Sequence, residues 1–302
     1  MLTEKDIARV ASRFWMTSDA IQDVRGISVK YQIYNKPKSG GGTRPIAAPV
    51  KELYRLQRKI LDKILTPHVL KNVSSFVHGG MKRRSYVTHA RAHRRAAATF
   101  VVDLKEAFKH GDASRVRQSL WGVGHPEKEL IVELCVHKDL GLPQGAPTSN
   151  ALFNLICTQL DRTLASQAKM KGYRYTRYVD ELIFSSLHPI PSDERWTILR
   201  LIEAEEFMVN QKKTKYTEVK NGAMRVTGVS VYDERLSLSK KRIEELRVFL
   251  RRAVMDASVT LDVVEGHMSQ VRSVYAGKIP KRLQVNYRLA REACLARPKK
   301  SA

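Results

Sequence analysis

The stretch YTRYVDELIFSS, residues 175–186, sets two carboxylates, Asp180 and Glu181, side by side between two runs of strand-forming residues. A single aspartate in a hairpin turn is ordinarily local turn chemistry, because its side chain can bond the backbone two residues on. Two adjacent acids repel each other, and a turn gains nothing from that cost. A bound divalent cation removes it. A second apolar run, TFVVDL, leads straight up to Asp103. If its strand and the hairpin are neighbours in one sheet, three carboxylates converge. That set suits two-metal phosphoryl transfer, in which hard oxygen ligands hold Mg²⁺ ions about 3.5 to 4 Å apart against the attacking and leaving oxygens. Metal-dependent polymerases and nucleases both work this way.

Several elements must position these acids. Residues 1–25 read as short helical pieces. VKYQIYNKPKSGGGTRPIAAP reads as a hairpin with a Gly-rich turn that ends before Pro49. From Lys51 to Leu65, the residues Leu53, Leu56, Ile60 and Ile64 recur at helical spacing. GLPQGAPTS, residues 141–149, is a Gly/Pro-rich turn, and NALFNLICTQLDRTLASQA after it is an amphipathic helix capped by Ser149 or Asn150. YRYTRY and LIFSS are the strands of the acidic hairpin, joined at Val179, Asp180 and Glu181. From Leu236 the tail reads as helical, with Ile243, Leu246, Leu250 and Val254 on one face and Lys240, Arg247 and Arg251 on another. No internal repeat at solenoid periods is present.

Charge narrows the partner. Lys and Arg number 54 against 30 Asp and Glu, a net charge of +24, so a polyanion is expected. Residues 81–98, MKRRSYVTHARAHRRAAA, carry Lys82, Arg83, Arg84, Arg91, Arg94 and Arg95 without an acid. A charge run is commonly a solvated face; in a chain this basic, a phosphate-contacting surface is the better reading. The 3 cysteines, Cys135, Cys157 and Cys294, have neither disulfide-framework nor zinc-ligand spacing. A reducing, cytoplasmic setting is therefore expected. No apolar run approaches the roughly 20 residues that span a bilayer, and no membrane partner is expected.

With the pieces in this order, the sequence resembles the reverse transcriptases, and within them the bacterial retron type, from about Arg44 to the tail. YVDE is similar to the family's Tyr-x-Asp-Asp box, VVDLKEAF to its first metal-binding motif, and LPQGAPTS to its Gln-Gly motif. VNQKKT at 209–214 resembles the Asn-x-x-Lys-Thr segment, RVTG at 225–228 the Val-Thr-Gly signature, and HARAH the Asn-Ala-x-x-His signature. The resemblance implies an α+β right-hand polymerase fold of fingers, palm with antiparallel sheet, and helical thumb. Residues 1–100 would form N-terminal helices and fingers, 101–235 the palm with a fingers insertion at about 111–142, and 236–302 the basic thumb.

By position, the resemblance implies that Asp103 and Asp180 are the principal metal ligands, with Glu181 in the place of the third acid. The cofactor would be two Mg²⁺ ions, with Mn²⁺ as the substitute. Phe108 takes the steric-gate position that selects dNTPs, and Arg44 the position that grips the triphosphate. Gln144, with Gly145, lines the nucleotide and template pocket, and Lys213 neutralises or protonates the pyrophosphate leaving group. Phe108, Gln144 and Lys213 also have plain structural readings, as core, turn filler and solvated surface. Arg83, Arg84, Arg91, Arg94, Arg95, Lys240, Arg247 and Arg251 would contact nucleic acid. The implied partners are a structured noncoding RNA, its DNA product, dNTPs and a defence effector protein.

The chain departs from the family pattern at several points. Glu181 replaces an aspartate, Ala107 an aromatic, His89 an asparagine and Asn150 a proline, and KHG follows Phe108 where PS is commoner. These departures keep two further readings open: a template-independent or unusual-template DNA polymerase, and a noncatalytic RNA-binding scaffold. A nuclease explains neither the aromatic at 108 nor the Gln-Gly motif.

Overall fold

The computed structural model describes residues 2–37 and 41–297. Helix α1 (Glu4–Phe14) opens with a reciprocal cap, in which Thr3 accepts from the Asp6 amide while the Asp6 carboxylate takes the Thr3 N–H. It buries Ile7, Val10, Ala11 and Phe14. After α2 (Ser18–Gly26), β1 (Tyr31–Pro37) and β2 (Thr43–Pro49) pair antiparallel, from Tyr31 opposite Pro49 to Pro37 opposite Thr43. The expected Gly-rich turn falls in part on residues 38–40, outside the described residues.

Helix α3 (Lys51–Ile60) buries Leu53, Leu56 and Ile60, three of the four residues on the expected face. The helix does not end at Leu65. A π-helical turn, Leu61–Leu65, buries Ile64 and passes the chain into α4 (Thr66–Asn72), with Pro67 in its first turn. Then come α5 (Tyr86–Ala92), β3 (Ala98–Asp103), α6 (Ala113–Ser119) and α7 (His125–Cys135).

Where one helix was expected after the Gly/Pro turn there are two, α8 (Ser149–Ile156) and α9 (Thr158–Met170), interrupted at Cys157. Neither Ser149 nor Asn150 caps α8: both lie within it, and the Ser149 hydroxyl donates to the Pro143 carbonyl at 2.7 Å. The acidic hairpin follows as β4 (Arg174–Tyr178) and β5 (Glu181–Ser186), and then α10 (Ser192–Ala204). The chain continues through β6 (Lys215–Glu218), β7 (Met224–Val226), β8 (Val229–Tyr232) and β9 (Arg235–Leu238). It finishes with α11 (Lys240–Met255), α12 (Leu261–Val274) and α13 (Lys281–Ala296). The tail is helical from Lys240 rather than Leu236, because Leu236 is still paired in β9.

The chain gathers into two compact units, one of Met1–Arg83, Val101–Phe184 and Pro191–Lys215, the other of Arg84–Phe100, Ser185–Ile190 and Tyr216–Ala302. A four-stranded sheet runs in the order β4-β5-β3-β6, so β5 lies directly beside β3. Leu182, Ile183 and Phe184 in β5 and Phe100 and Val102 in β3 are buried, the continuous apolar pattern of strands covered on both faces. The core of the first unit includes Phe14, Leu53, Leu56, Leu104 and Phe153. In the second unit β7, β8 and β9 form an antiparallel sheet, and α11 packs on α13 and α12 around Leu246, Leu250, Val264, Met268 and Leu283. Among the described residues no helix is long and apolar enough to cross a membrane.

Candidate active site

Strand order brings the two aspartates together. Asp103 is the last residue of β3, Asp180 sits in the turn before β5, and the Leu104 amide donates to the Asp180 carbonyl at 2.9 Å. Burial first, and the nearby Asp103 charge second, push the Asp180 carboxyl above its usual range; its own backbone, Lys213 and Arg44 pull the other way. Repulsion between two ionised acids is thus built into the site.

Asp103 is held from the segment after α10. Asn210 Nδ2 donates to Asp103 Oδ1 and Lys213 Nζ to Oδ2, each at 3.0 Å, while the Asn210 amide donates to the Asp103 carbonyl at 2.8 Å. The segment 209–214 is itself folded back, with the Lys213 and Thr214 amides both donating to the Asn210 carbonyl at 3.0 Å. Sequence reading assigned Lys213 and left Asn210 without a role, although its place in the Asn-x-x-Lys-Thr segment was the available signal.

Glu181 follows Asp180 directly in the chain. It is the half-exposed first residue of β5, and among the described residues no three His, Cys, Asp or Glu side chains are grouped to hold a metal.

The remaining first-unit candidates cluster through backbone contacts. The Ala47 amide of β2 donates to the Gln144 carbonyl at 2.8 Å. Gly145 has φ +126°, and a Cβ there would stand 3.1 Å from the Ala47 carbonyl oxygen, so this close approach needs glycine. The exposed Arg44 lies on the same strand, and its charge reaches Asp180. Phe108 is half-buried and stacks on Phe153, with ring centroids 5.3 Å apart and planes inclined at 19°. Its carbonyl accepts from the Leu142 amide at 2.9 Å, tying it to the turn that carries Gln144. Ala107 is buried at 4% exposure and belongs to the core.

Two more residues escaped sequence reading. Gly79 passes against the hairpin turn at Val179, and Arg177 is buried beneath that turn. The Gly-Gly pair at 79–80 was the visible signal for the first; an arginine within a strand gave none for the second.

Of the basic residues, Lys82 and Arg83 are exposed in the first unit. In the second unit Arg91, Arg94, Arg95, Lys240 and Arg251 are exposed, and Arg84 and Arg247 are partly covered. Arg95 is paired with Glu234 and Arg247 with Glu244. The two signature segments meet inside this unit: His89 Nδ1 lies 2.5 Å from Thr227 Oγ1, and the rings of His89 and His93 stand edge to face.

A family model described as reverse transcriptase (RNA-dependent DNA polymerase) matches residues 36–231. The chain belongs to this family. Within it the chain is of the bacterial retron type. It is 32% identical over 293 residues to the retron Mx65 reverse transcriptase of Myxococcus xanthus, covering 85% of this chain and 67% of the relative. It is 30% identical over 255 residues to the retron Ec86 reverse transcriptase of Escherichia coli, covering 81% and 77%. The solved apo telomerase of Candida tropicalis shares the fold, with a TM-score of 0.55 at 12% identity over 88% of this chain and 59% of that one. This chain thus spans just over half the length of that telomerase. The activity that goes with membership is RNA-directed DNA polymerisation, a nucleotidyl transfer on an RNA template. Neither the template-independent reading nor the scaffold reading is favoured by these relatives.

Proposed function

We propose that nucleotidyl transfer takes place where β3 and the β4–β5 turn meet, on Asp103 and Asp180. The observation that carries this reading is the pairing of two carboxylates, one ending β3 and one in the turn before the neighbouring β5, with the Lys213 ammonium resting on the first. Carboxylate oxygens are the donors Mg²⁺ takes, and an acid pair of raised charge density fits divalent cations. Asp103 and Asp180 would hold two Mg²⁺ ions, or Mn²⁺ in their place, with Glu181 beside them. Such ions supply charge stabilisation to the attacking and leaving oxygens.

The chain's own residues do the rest by positioning, which is most of what a loose phosphoryl transition state requires. Arg44 binds the triphosphate of an incoming dNTP, Gln144 and Gly145 line its pocket, and Phe108 excludes a 2′-hydroxyl. The primer 3′-hydroxyl then attacks the α-phosphate and pyrophosphate leaves, with the Lys213 proton available to it. Residues 1–100 serve as N-terminal helices and fingers, 101–235 as palm with the insertion at 111–142, and 236–302 as thumb. Arg83, Arg84, Arg91, Arg94, Arg95, Lys240, Arg247 and Arg251 contact phosphates of a structured noncoding RNA and its DNA product without reading bases. Retron membership supports a role in cytoplasmic antiphage defence with an effector protein.

The test is primer extension on an RNA template with dNTPs and Mg²⁺. Wild type should extend and Asp180→Ala should not. Equal product from the two would place the chemistry elsewhere, and preference for rNTPs would remove Phe108 from its role.

A further inference from the structure

Among the described residues the largest side chain with no exposure is Arg177, on β4 directly before the turn. A buried guanidinium is costly unless its charge is matched and its donors are used. Asp161 on α9, itself 1% exposed, matches it: Nε donates to Oδ1 at 2.8 Å and Nη2 to Oδ2 at 2.7 Å, a two-pronged grip that fixes the guanidinium plane. The Tyr175 hydroxyl donates to the same carboxylate at 2.8 Å. Charge balance is complete with Asp161 alone.

The third nitrogen points elsewhere. Arg177 Nη1 donates to Asn154 Oδ1 at 3.0 Å and to the Val179 carbonyl at 2.9 Å. Asn154 in turn donates from Nδ2 to the Gly79 carbonyl at 2.9 Å. Val179 has φ +56°, a left-handed conformation that a β-branched residue keeps only where its surroundings hold it. Its carbonyl and the Asp180 amide are two ends of one planar peptide. The Leu104 amide secures the far side of Asp180.

We propose that Arg177 is a positioning residue for the polymerase reaction: anchored by Asp161 and Asn154, it props the Val179–Asp180 peptide so that the Asp180 carboxylate stands beside Asp103. This rests on the reading of Asp180 as catalytic. A salt bridge serving only to stabilise the core would not need the third nitrogen on the turn.

The deciding variant is Asp161→Leu/Arg177→Met, which removes both charges together, a replacement that buried pairs commonly tolerate without loss of folding. Its kcat per folded molecule should fall about 100-fold, the scale of a 1 Å misplacement, with KM for dNTP nearly unchanged. Hydrogen exchange of the amides at 179–181 should accelerate while the rest of β5, residues 182–186, stays protected. A pair serving stability alone would lower the folded fraction and leave both readouts unmoved, which overturns the proposal. If the double variant does not fold, Arg177→Lys takes its place, since one ammonium cannot serve both Asp161 and Val179 in the geometry of the fork. If wild type itself extends no primer, the polymerase reading fails, and the exchange of 179–181 still decides whether Arg177 props the turn.

Discussion

A Cβ at Gly79 would stand 2.3 Å from the Val179 nitrogen and 2.9 Å from the Tyr178 carbonyl carbon, so the chain at Gly79 lies directly against the backbone of the acidic hairpin. Both atoms are main chain, and no rotamer change can make room. Gly79→Ala must therefore push the hairpin turn away or distort the segment 76–80, at a cost of about 1–3 kcal/mol on the scale of overpacked interiors. Urea unfolding should show the loss, and extension by the remaining folded protein should fall with it. An alanine variant with an unchanged midpoint and unchanged activity would show that the contact is not kept in solution.

Asp180→Asn separates stability from activity. The ionised Asp180 is opposed by burial and by Asp103, and an asparagine of the same shape removes both costs. We expect the variant to melt no lower than wild type while extending no primer, the usual exchange of stability for function at a strained site. Mg²⁺ should raise the melting temperature of wild type, because a cation that binds only the folded chain stabilises it. It should not do so for Asp180→Asn. A melting temperature well below wild type would mean that the carboxylate is held by favourable contacts rather than tolerated.

Much of this site was legible in the sequence because its acids stand at the ends of strands whose apolar runs are unbroken. TFVVD and LIFSS could only be buried strands, and the first neighbours the second in the sheet. The hairpin of residues 31–49 and the buried face of α3 were equally plain, since strand formers on both sides of a Gly-rich turn mark the first and helical spacing the second. What the sequence hid depends on distant partners. Ser149 looks like a cap until Pro143 takes its hydroxyl, and Arg177 looks like a surface residue until Asp161, sixteen positions away, takes its charge. The spacing placed Asp180 and Glu181 at one hairpin end, but the turn that carries Asp180 and the strand that Glu181 opens set the two acids in different surroundings.

Lys213 Nζ lies 3.0 Å from Asp103 Oδ2, a positive charge at the carboxylate that we propose as a metal ligand. Its side chain is 63% exposed, so the pair is weak and its ammonium is free to exchange for another cation. Lys213→Met should therefore lower the Mg²⁺ concentration for half-maximal thermal stabilisation, while the role proposed for Lys213 at the leaving pyrophosphate makes kcat fall. A Mg²⁺ titration followed by melting, run beside single-turnover extension, reads the two effects apart. If the variant instead needs more Mg²⁺, the lysine assists metal binding rather than competing with it.

The last test asks whether the two adjacent acids are equivalent. Asp180 is shielded, faces the Asp103 charge and is fixed through its backbone to Leu104, whereas Glu181 begins β5 half-exposed and outside any metal-holding group among the described residues. One added methylene at position 180 displaces the carboxylate by about 1 Å, and Asp180→Glu should lose on the order of 100-fold in kcat. One methylene fewer at position 181 alters a half-exposed side chain at the strand's first residue, so Glu181→Asp should stay within about tenfold of wild type, the effect of roughly 1.4 kcal/mol on a barrier. Primer extension under single-turnover conditions, with sequencing of the products, measures both. Comparable losses from the two swaps would mean that Glu181 enters the metal site once nucleic acid and nucleotide are bound, and a changed product sequence from Glu181→Asp would make the longer acid a determinant of what this enzyme synthesises.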